Sequence, residues 1–530
     1  MLRVELIRPI SELLTTHAER FGAKVAFFDE HRSVSYADLA ERSRRFAGHL
    51  VAAGLRRQDR VLMLMDNRVE TAESYLALTR AGLVGVCLNP QAAAAEVGYM
   101  LEDSDARAVI TDENHVETVR AIFADCGVYD VQIILIGEAK GQDAAWSYER
   151  LCVEEPSVAP PDDLGLDEVA WMLYTSGTTG RPKGVLLTQR SCLWVVAACW
   201  APITRIGPED RVLCPLPLFH SYALNLCVLA VFAVGATERI LPRFSTPIVL
   251  GLLQEDEFTV LPGVPTMFQY LLHGAGDRQT ESAGSVGSLR LCLSAGAIMS
   301  SSLNAEFEQF FGVRLLEGYG ITETSTMVTM NWPEGGRELG SCGLPLPGVG
   351  VRLVDPATGR DVGAGEEGEL WVSGPNLMVG YHQRPEATEA VLQQGWYRTG
   401  DLGRRDANGF LVISGRTKEL IIRGGENIYP AEIEEVLAGV PGIADVAVVA
   451  REHPDLGEEP VAFVVSERPG EVNHEALRQA CRRALAHFKV PAEIFEAPEI
   501  PRTGSGKIMR YRLQEQAGEP AEAVSGHVSS

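Results

Sequence analysis

Residues 174–185 read YTSGTTGRPKGV. The apolar run just before them, Val169–Leu173, predicts a strand, so this segment is the turn that leaves a strand end. Thr175, Ser176, Thr178 and Thr179 interleave with Gly177, Gly180 and Gly184 around Lys183. Small residues let backbone N–H groups turn inward, hydroxyls add donors, and the lysine supplies a positive charge. Together they can grip a polyphosphate. The Walker A pattern is excluded, because Lys183 is followed by Gly184 instead of Ser or Thr. Taken alone, such a loop also reads as a surface connector.

Outward from this turn, short β-branched runs alternate with helical stretches. Asp59–Met65, Ala108–Thr111, Gln132–Ile136, Val212–Cys214 and Leu289–Leu293 predict strands; Glu70–Ala81 and Ser191–Ala201 predict helices. That alternation predicts α/β layers with mainly parallel sheets. From about Gly340 to Gly415, short strands separated by turns such as DPATG and DANG predict an antiparallel β subdomain. After Arg416 a helix over Pro430–Ala438, strands over Asp445–Val449 and Val461–Val465, and a helix over His474–His487 predict a small α+β domain. The stretch 516–530, rich in Ala, Gly, Glu and Ser, is expected to be disordered.

The 530 residues exceed what one core can hold, and at ~100–200 residues per domain they predict three or four compact units. With 46% hydrophobic and 22% charged residues, global disorder is excluded. Lys+Arg 47 against Asp+Glu 71 gives a net charge of −24, which argues against non-specific wrapping on nucleic acid and leaves room only for a local basic pocket. No apolar run reaches the ~20 residues of a membrane span; the longest, Ala223 to Ala236, predicts a buried helix. Glu5 and Arg8 interrupt the first apolar stretch, which lacks a signal peptide's pattern. The 10 cysteines form no CxxC pair and predict buried reduced thiols in a cytoplasmic protein.

Four more segments, taken with the first, resemble the adenylate-forming superfamily of acyl-CoA synthetases, aryl-CoA ligases, adenylation domains and firefly luciferase. Residues 174–185 resemble its phosphate loop. LLEGYGITETS (315–325) resembles its adenine and magnesium motif, and GWYRTGD (395–401) its ribose motif. GRTKELIIRGGENIYPAEIE (415–434) resembles its hinge and thiolation motif, and PRTGSGKIMR (501–510) its catalytic-lysine motif. They follow the family's order, and the likeness covers about residues 10 to 513. It implies an N-terminal AMP-binding domain, 1–417, of two doubly wound α/β subdomains plus a β-barrel-like subdomain. A small mobile α+β domain, 418–530, would carry the catalytic lysine.

The resemblance implies ATP, Mg²⁺ and coenzyme A as reactants, with carrier-protein phosphopantetheine as the alternative thiol. The reaction joins two anions, a carboxylate and the α-phosphate of ATP, whose repulsion must be screened. Glu323 is implied as the Mg²⁺ ligand and Thr322 as an α-phosphate donor; seen alone, Glu323 also reads as a carboxylate at a helix start. Lys507 is implied to offset charge as it develops. Asp401 is implied as acceptor for the ribose hydroxyls and Arg416 as a further ribose or phosphate contact. Gly318, Tyr319 and Gly320 would lie along adenine, with Gly296 and Ala297 on its other side. Lys418 is implied as the hinge about which the small domain swings, withdrawing Lys507 and bringing Gly424 and Gly425 to the acyl-adenylate.

FHSY (219–222) resembles the motif that gates the acyl pocket. His220 would steer the carboxylate, and Phe219, Tyr222, Asn225 and Met330 would wall a largely apolar cavity. No acid stands at the His220 position and Asn225 is neutral, which disfavours a free α-amino acid but not a β-amino acid. Three functions follow: an AMP-forming acyl-CoA synthetase, a stand-alone enzyme loading an acyl or β-amino acyl group onto a carrier protein, and an inactive nucleotide-binding scaffold. Lys183, Glu323, Asp401, Arg416 and Lys507 together weigh against the scaffold.

Overall fold

The computed structural model describes residues 1–518 apart from 128–129, 138–145, 176–180, 256, 277–285, 425, 469, 471 and 503–506. Ser176, Gly177, Thr178, Thr179, Gly180 and Gly425 therefore lie outside the described residues, as do 519–530 of the tail.

Two large sheets and two small ones organise the chain. An eight-stranded sheet has five parallel pairings, from Val169–Thr175 through Val84–Cys87, Arg60–Leu64, Ala106–Asp112 and Gln132–Ile136 to Trp146–Ser147. Its other edge is antiparallel: Lys183–Thr188 turns back on Val169–Thr175, and Gly380–Tyr381 pairs outside it. A nine-stranded sheet has the parallel centre Arg314–Tyr319, Leu291–Ser294, Val260–Gly263, Arg211–Cys214, Thr237–Ile240 and Val25–Phe28. The burial of these strands explains why they read as continuous apolar runs. The predicted strands are all present, with ends shifted by a few residues.

The two large sheets are interleaved along the chain. Val25–Phe28 belongs to the nine-stranded sheet, although most of the following residues to 188 build the other. One continuous core spans both, from Ile10 and Phe27 to Tyr397 and Leu411.

The run from Ser221 to Val234 is helical and buried, as expected for Ala223–Ala236, but its middle, Leu224–Ala230, winds as a π-helix. A second π-helical turn, Val196–Trp200, packs beside it. Trp200 Nε1 donates to Asn225 Oδ1 at 2.7 Å, and Asn225 Nδ2 donates to the Cys192 carbonyl at 3.0 Å. The wider winding lets a polar amide in an apolar run satisfy both its ends.

Strands Gly350–Val354, Glu367–Ser373, Trp396–Arg405 and Leu411–Arg416 pair antiparallel in a five-stranded sheet. The fourth sheet starts at Ile421 and is built on the hairpin Ile443–His453 with Gly457–Ser466. Helices Pro430–Ala438 and His474–Ala484 cover one face, with Ile433, Leu437 and Leu477 in its core. Helix Arg510–Ala517 covers the other, with Leu513 and Ala517 against Val449 and Phe463. The expected disorder from 516 onward is thereby corrected: Gln516 and Ala517 finish this helix, because burying Ala517 outweighs the polar composition around it. The ten cysteines are all unpaired, and only Cys126 is not buried. Among the described residues no helix is long and apolar enough to cross a membrane.

Candidate active site

Asp401 is the hub of a polar cluster. It lies buried on Trp396–Arg405, Cα partner to Arg416 on the neighbouring strand. Arg416 Nε sits 2.9 Å from Asp401 Oδ1, and the Tyr319 hydroxyl donates to Oδ2. Burial, then the adjacent carboxylate, pushes the Tyr319 phenol well up, so it stays a donor. Asp401 is the main cause that holds the Arg416 guanidinium charged. A carboxylate fixed by two donors retains lone pairs for a pair of ligand hydroxyls.

Tyr319 ends the strand Arg314–Tyr319, and the chain then makes one 3₁₀ turn, Thr322–Thr324. A Cβ on Gly320 would overlap the Thr326 carbonyl, so only glycine fits. Ser325 and Thr326 follow at φ 50° and 96°, in a left-handed region that a β-branched residue rarely occupies. Such strain costs ~1–3 kcal/mol per residue and persists only where surroundings enforce it. Asn376 is one enforcer: its Nδ2 donates to the carbonyls of Thr324 and Met327, at 3.2 and 2.8 Å. Thr322 Oγ1 lies 3.3 Å from Ser221 Oγ.

Glu323 accepts from the Tyr381 hydroxyl at 3.0 Å, and Lys183 Nζ stands 5.0 Å from the Tyr381 ring centroid. Gly380–Tyr381 pairs with Val185–Leu186, which brings this ring to the lysine. Lys183 is itself paired with Thr175 across the hairpin, so the phosphate-loop lysine and the acid of the second motif meet through one phenol.

His220 Nδ1 accepts from the Tyr222 N–H at 3.2 Å, which leaves the proton of the neutral ring on Nε2. Burial, with help from the Lys507 ammonium, pushes His220 down to about 3, so the ring is neutral near pH 7. His220, Tyr222, Ala223, Val264 and Gly296 line a narrow cleft. Gly296 turns there at φ 90°, and Ala297 is exposed beside it. Phe219, Asn225 and Met330 are not in this lining: Phe219 packs on the main core, Asn225 is held by Trp200 and Cys192, and Met330 lies under Gly318.

Lys507 enters from the fourth sheet's side. Burial and Arg416 lower its pKa, while Asp401, Glu323 and Glu419 act in opposition. Its loop is tied at both ends. Arg502 pairs with Asp445 at 2.8 Å, and Arg510 bonds Glu419 at 3.0 Å, the Val448 carbonyl at 2.7 Å, and Glu434. Lys418 lies in the turn after Arg416, where the Thr417 N–H donates to the Gly400 carbonyl at 2.8 Å. Gly424 adopts φ 59°, its N–H donating to the Leu456 carbonyl at 2.7 Å.

Tyr381, Asn376 and Glu317 escape the sequence reading. Tyr381 and Asn376 reach the site only through long-range pairing, and nothing local marks them. Glu317 had a signal, an acid inside the apolar strand LLEGY. It is buried, its Oε2 has no hydrogen-bond partner among the described residues, and desolvation pushes it up to about 8.

A match to the AMP-binding enzyme family covers residues 14–382, and one to the AMP-binding enzyme C-terminal domain covers 432–507. The chain belongs to the AMP-binding enzyme family. It is 40% identical to naringenin synthase of Pestalotiopsis fici over 96% of its own length, and spans about a fifth of that protein, 19%. It is 36% identical to feruloyl-CoA synthase of an Amycolatopsis species, with 92% of this chain and 94% of that protein covered. The crystal structure of ATP-bound MatB from Rhodopseudomonas palustris superposes with a TM-score of 0.86 at 32% identity, covering 96% of this chain and 99% of that one.

The carboxyl of Glu317 makes stability depend on pH. Its folded pKa of about 8 stands above the ordinary 4.5, so between these values the native state keeps a proton that the unfolded chain has released. Stability contributed this way is full below 4.5 and falls as pH rises through 8. Lowered His220 works oppositely, but only between about 3 and 6.5. From pH 6.5 to 8.5, Glu317→Gln should gain up to roughly 2 kcal/mol relative to the parent. Melting temperatures of both chains across that range measure it; a constant gap contradicts the assignment.

Proposed function

We propose that the chain is an acid–thiol ligase that activates a carboxylic acid with ATP and passes the acyl group to coenzyme A. The carboxylate oxygen attacks the α-phosphorus and pyrophosphate leaves; the thiol sulfur then attacks the acyl carbon and AMP leaves. The observation that carries this reading is the convergence of the Lys507 ammonium with Asp401, Glu323 and Arg416, residues that lie before the Lys418 turn while Lys507 lies after it.

In this reading Asp401 accepts from the ribose hydroxyls and Tyr319 packs along adenine between Gly318, Gly320 and the Gly296–Ala297 strip. Arg416 adds a ribose or phosphate contact. Lys183, Thr175 and the Thr322 hydroxyl hold phosphate oxygens, as do the loop residues 176–180. The carboxylate of Glu323 suits Mg²⁺, which when bound would neutralise phosphate charge. Lys507 offsets negative charge where carboxylate and α-phosphate meet. Neutral His220 can lie against the incoming carboxylate and donate from Nε2. Phe219, Tyr222, Asn225 and Met330 remain proposed walls of the acyl pocket.

We divide the chain at 417/418, with the second part turning about Lys418 so that Gly424 and Gly425 meet the acyl-adenylate. Likeness to feruloyl-CoA synthase favours an aromatic acid. A cytoplasmic setting accords with ten unpaired cysteines. One observation favours a second acceptor: the similar segment of naringenin synthase is a fifth of a longer protein, so a carrier-protein phosphopantetheine could replace coenzyme A.

Pyrophosphate exchange with arylpropenoic, benzoic, fatty and β-amino acids tests the first step. Exchange should require an acid and be strongest with an aromatic one; none with any acid leaves the scaffold reading. Thioester assays with coenzyme A and with a holo carrier protein test the second. Acylation of the carrier alone would overturn the coenzyme A assignment.

Lys507→Ala should slow adenylation by about 10²–10³-fold and leave thioester formation from supplied acyl-AMP nearly unchanged. Equal loss of both would contradict the two-stage scheme. Lys418→Pro should do the reverse, because a fixed φ blocks rotation; retained thioester formation would remove Lys418 as hinge.

A further inference from the structure

Glu238 stands in the middle of the nine-stranded sheet, opposite Val212 on one side and Phe27 on the other. It is fully buried, and among the described residues neither carboxylate oxygen has a well-formed hydrogen bond; its one hydrogen-bonding neighbour is the weakly bonding Cys227 thiol. Among them it also forms no ion pair. The Tyr36 hydroxyl nearby donates instead to the carbonyls of Ala236 and Val231, at 2.7 and 3.2 Å. The side chains that face the carboxyl are two thiols. Cys214 shares a sheet face with Val212, two residues before it, and Cys227 comes from the π-helical turn Leu224–Ala230 laid over that face. One ligand atom from each of Cys214, Cys227 and Glu238 lies within 4.8 Å of the others.

An unpaired carboxyl in a strand centre is costly in either protonation state. Protonation removes the charge but leaves an O–H to donate and an oxygen to accept, against thiols that bond weakly. A thiophilic cation satisfies both oxygens and both sulfurs together. We propose that Cys214, Cys227 and Glu238 form a structural site for one Zn²⁺ ion, with the carboxylate bidentate.

Two sulfurs bound tetrahedrally at ~2.3 Å to one ion stand ~3.8 Å apart, so a cluster whose ligand atoms lie within 4.8 Å of one another closes on the ion by at most about 1 Å. Two thiolates and a carboxylate carry three negative charges, and Zn²⁺ leaves one. Loading releases protons from the ligands and so weakens as pH falls. The ion would clamp the end of Arg211–Cys214 to the helix that follows His220 and Tyr222, and so fix the floor of the cleft. The site does not depend on which acid or thiol the enzyme takes.

The test is metal content of the full chain, made without a histidine tag and refolded with excess zinc. After dialysis and unfolding, a colorimetric chelator should find about one zinc per chain. Refolding with Co²⁺ should give a thiolate-to-cobalt charge-transfer band. The Cys214→Ser/Cys227→Ser chain, which retains eight other thiols, should hold less than about a tenth as much and lose the band. Glu238→Gln should weaken zinc binding at least about tenfold. Circular dichroism checks that each variant is folded; if the double variant is not, the parent's stoichiometry and cobalt spectrum decide. Less than about 0.1 zinc in the refolded parent, no charge-transfer band, or the same content and band in the folded double variant overturns the proposal.

Discussion

The grip on Asp401 is the constraint from which the rest of the cleft follows. Its carboxylate is held by Tyr319 from the nine-stranded sheet and by Arg416 from the antiparallel sheet. A buried carboxylate without donors would be expelled or protonated. Held by both, Asp401 joins two sheets and fixes the point from which the chain departs toward the fourth sheet. Lys507 then feels Asp401 and Glu323 as attraction and Arg416 as repulsion.

A second feature is how rigid everything around that group is. Gly320 passes against the Thr326 carbonyl, Thr326 sits at an uncommon φ, and Asn376 ties the turn from outside. On the opposite side the Lys507 loop is pinned by Arg502 and Arg510 to strand and helix of its own sheet. In the proposed scheme the turning point is the backbone between Arg416 and Ile421. In the proposed reaction that rigidity matters because a preorganised site costs little reorganisation when charge develops.

Much of this was legible before any coordinates. Period and composition located six strands of the two large sheets, the antiparallel region and the helix Pro430–Ala438, because buried parallel strands and amphipathic helices write their burial directly into the sequence. Tyr319, Asp401, Arg416, Glu323 and Lys183 do come together, joined by contacts that the motifs suggest only through resemblance. What stayed hidden depends on distant pairing. Nothing local says that Val25–Phe28 joins Thr237–Ile240, or that Tyr381 reaches Glu323. The π-helical winding was equally invisible, since Leu224–Ala230, apolar but for Asn225, fits an α-helix equally well. The partners of the Asn225 amide, Trp200 and the Cys192 carbonyl, were likewise unmarked in the sequence.

The interleaving of the two large sheets bears on synthesis at the ribosome. Phe27 and Glu238 are neighbours in the finished sheet, yet the first emerges long before the second is translated. Until then the early strand has an open edge and no parallel partner, while the residues between are already able to assemble their own sheet. The nascent protein must therefore carry a sticky, unfinished β-segment beside a half-built neighbour for much of its elongation. Slower translation or sheltering by a chaperone over that interval should matter more for this architecture than for one whose layers follow each other in order.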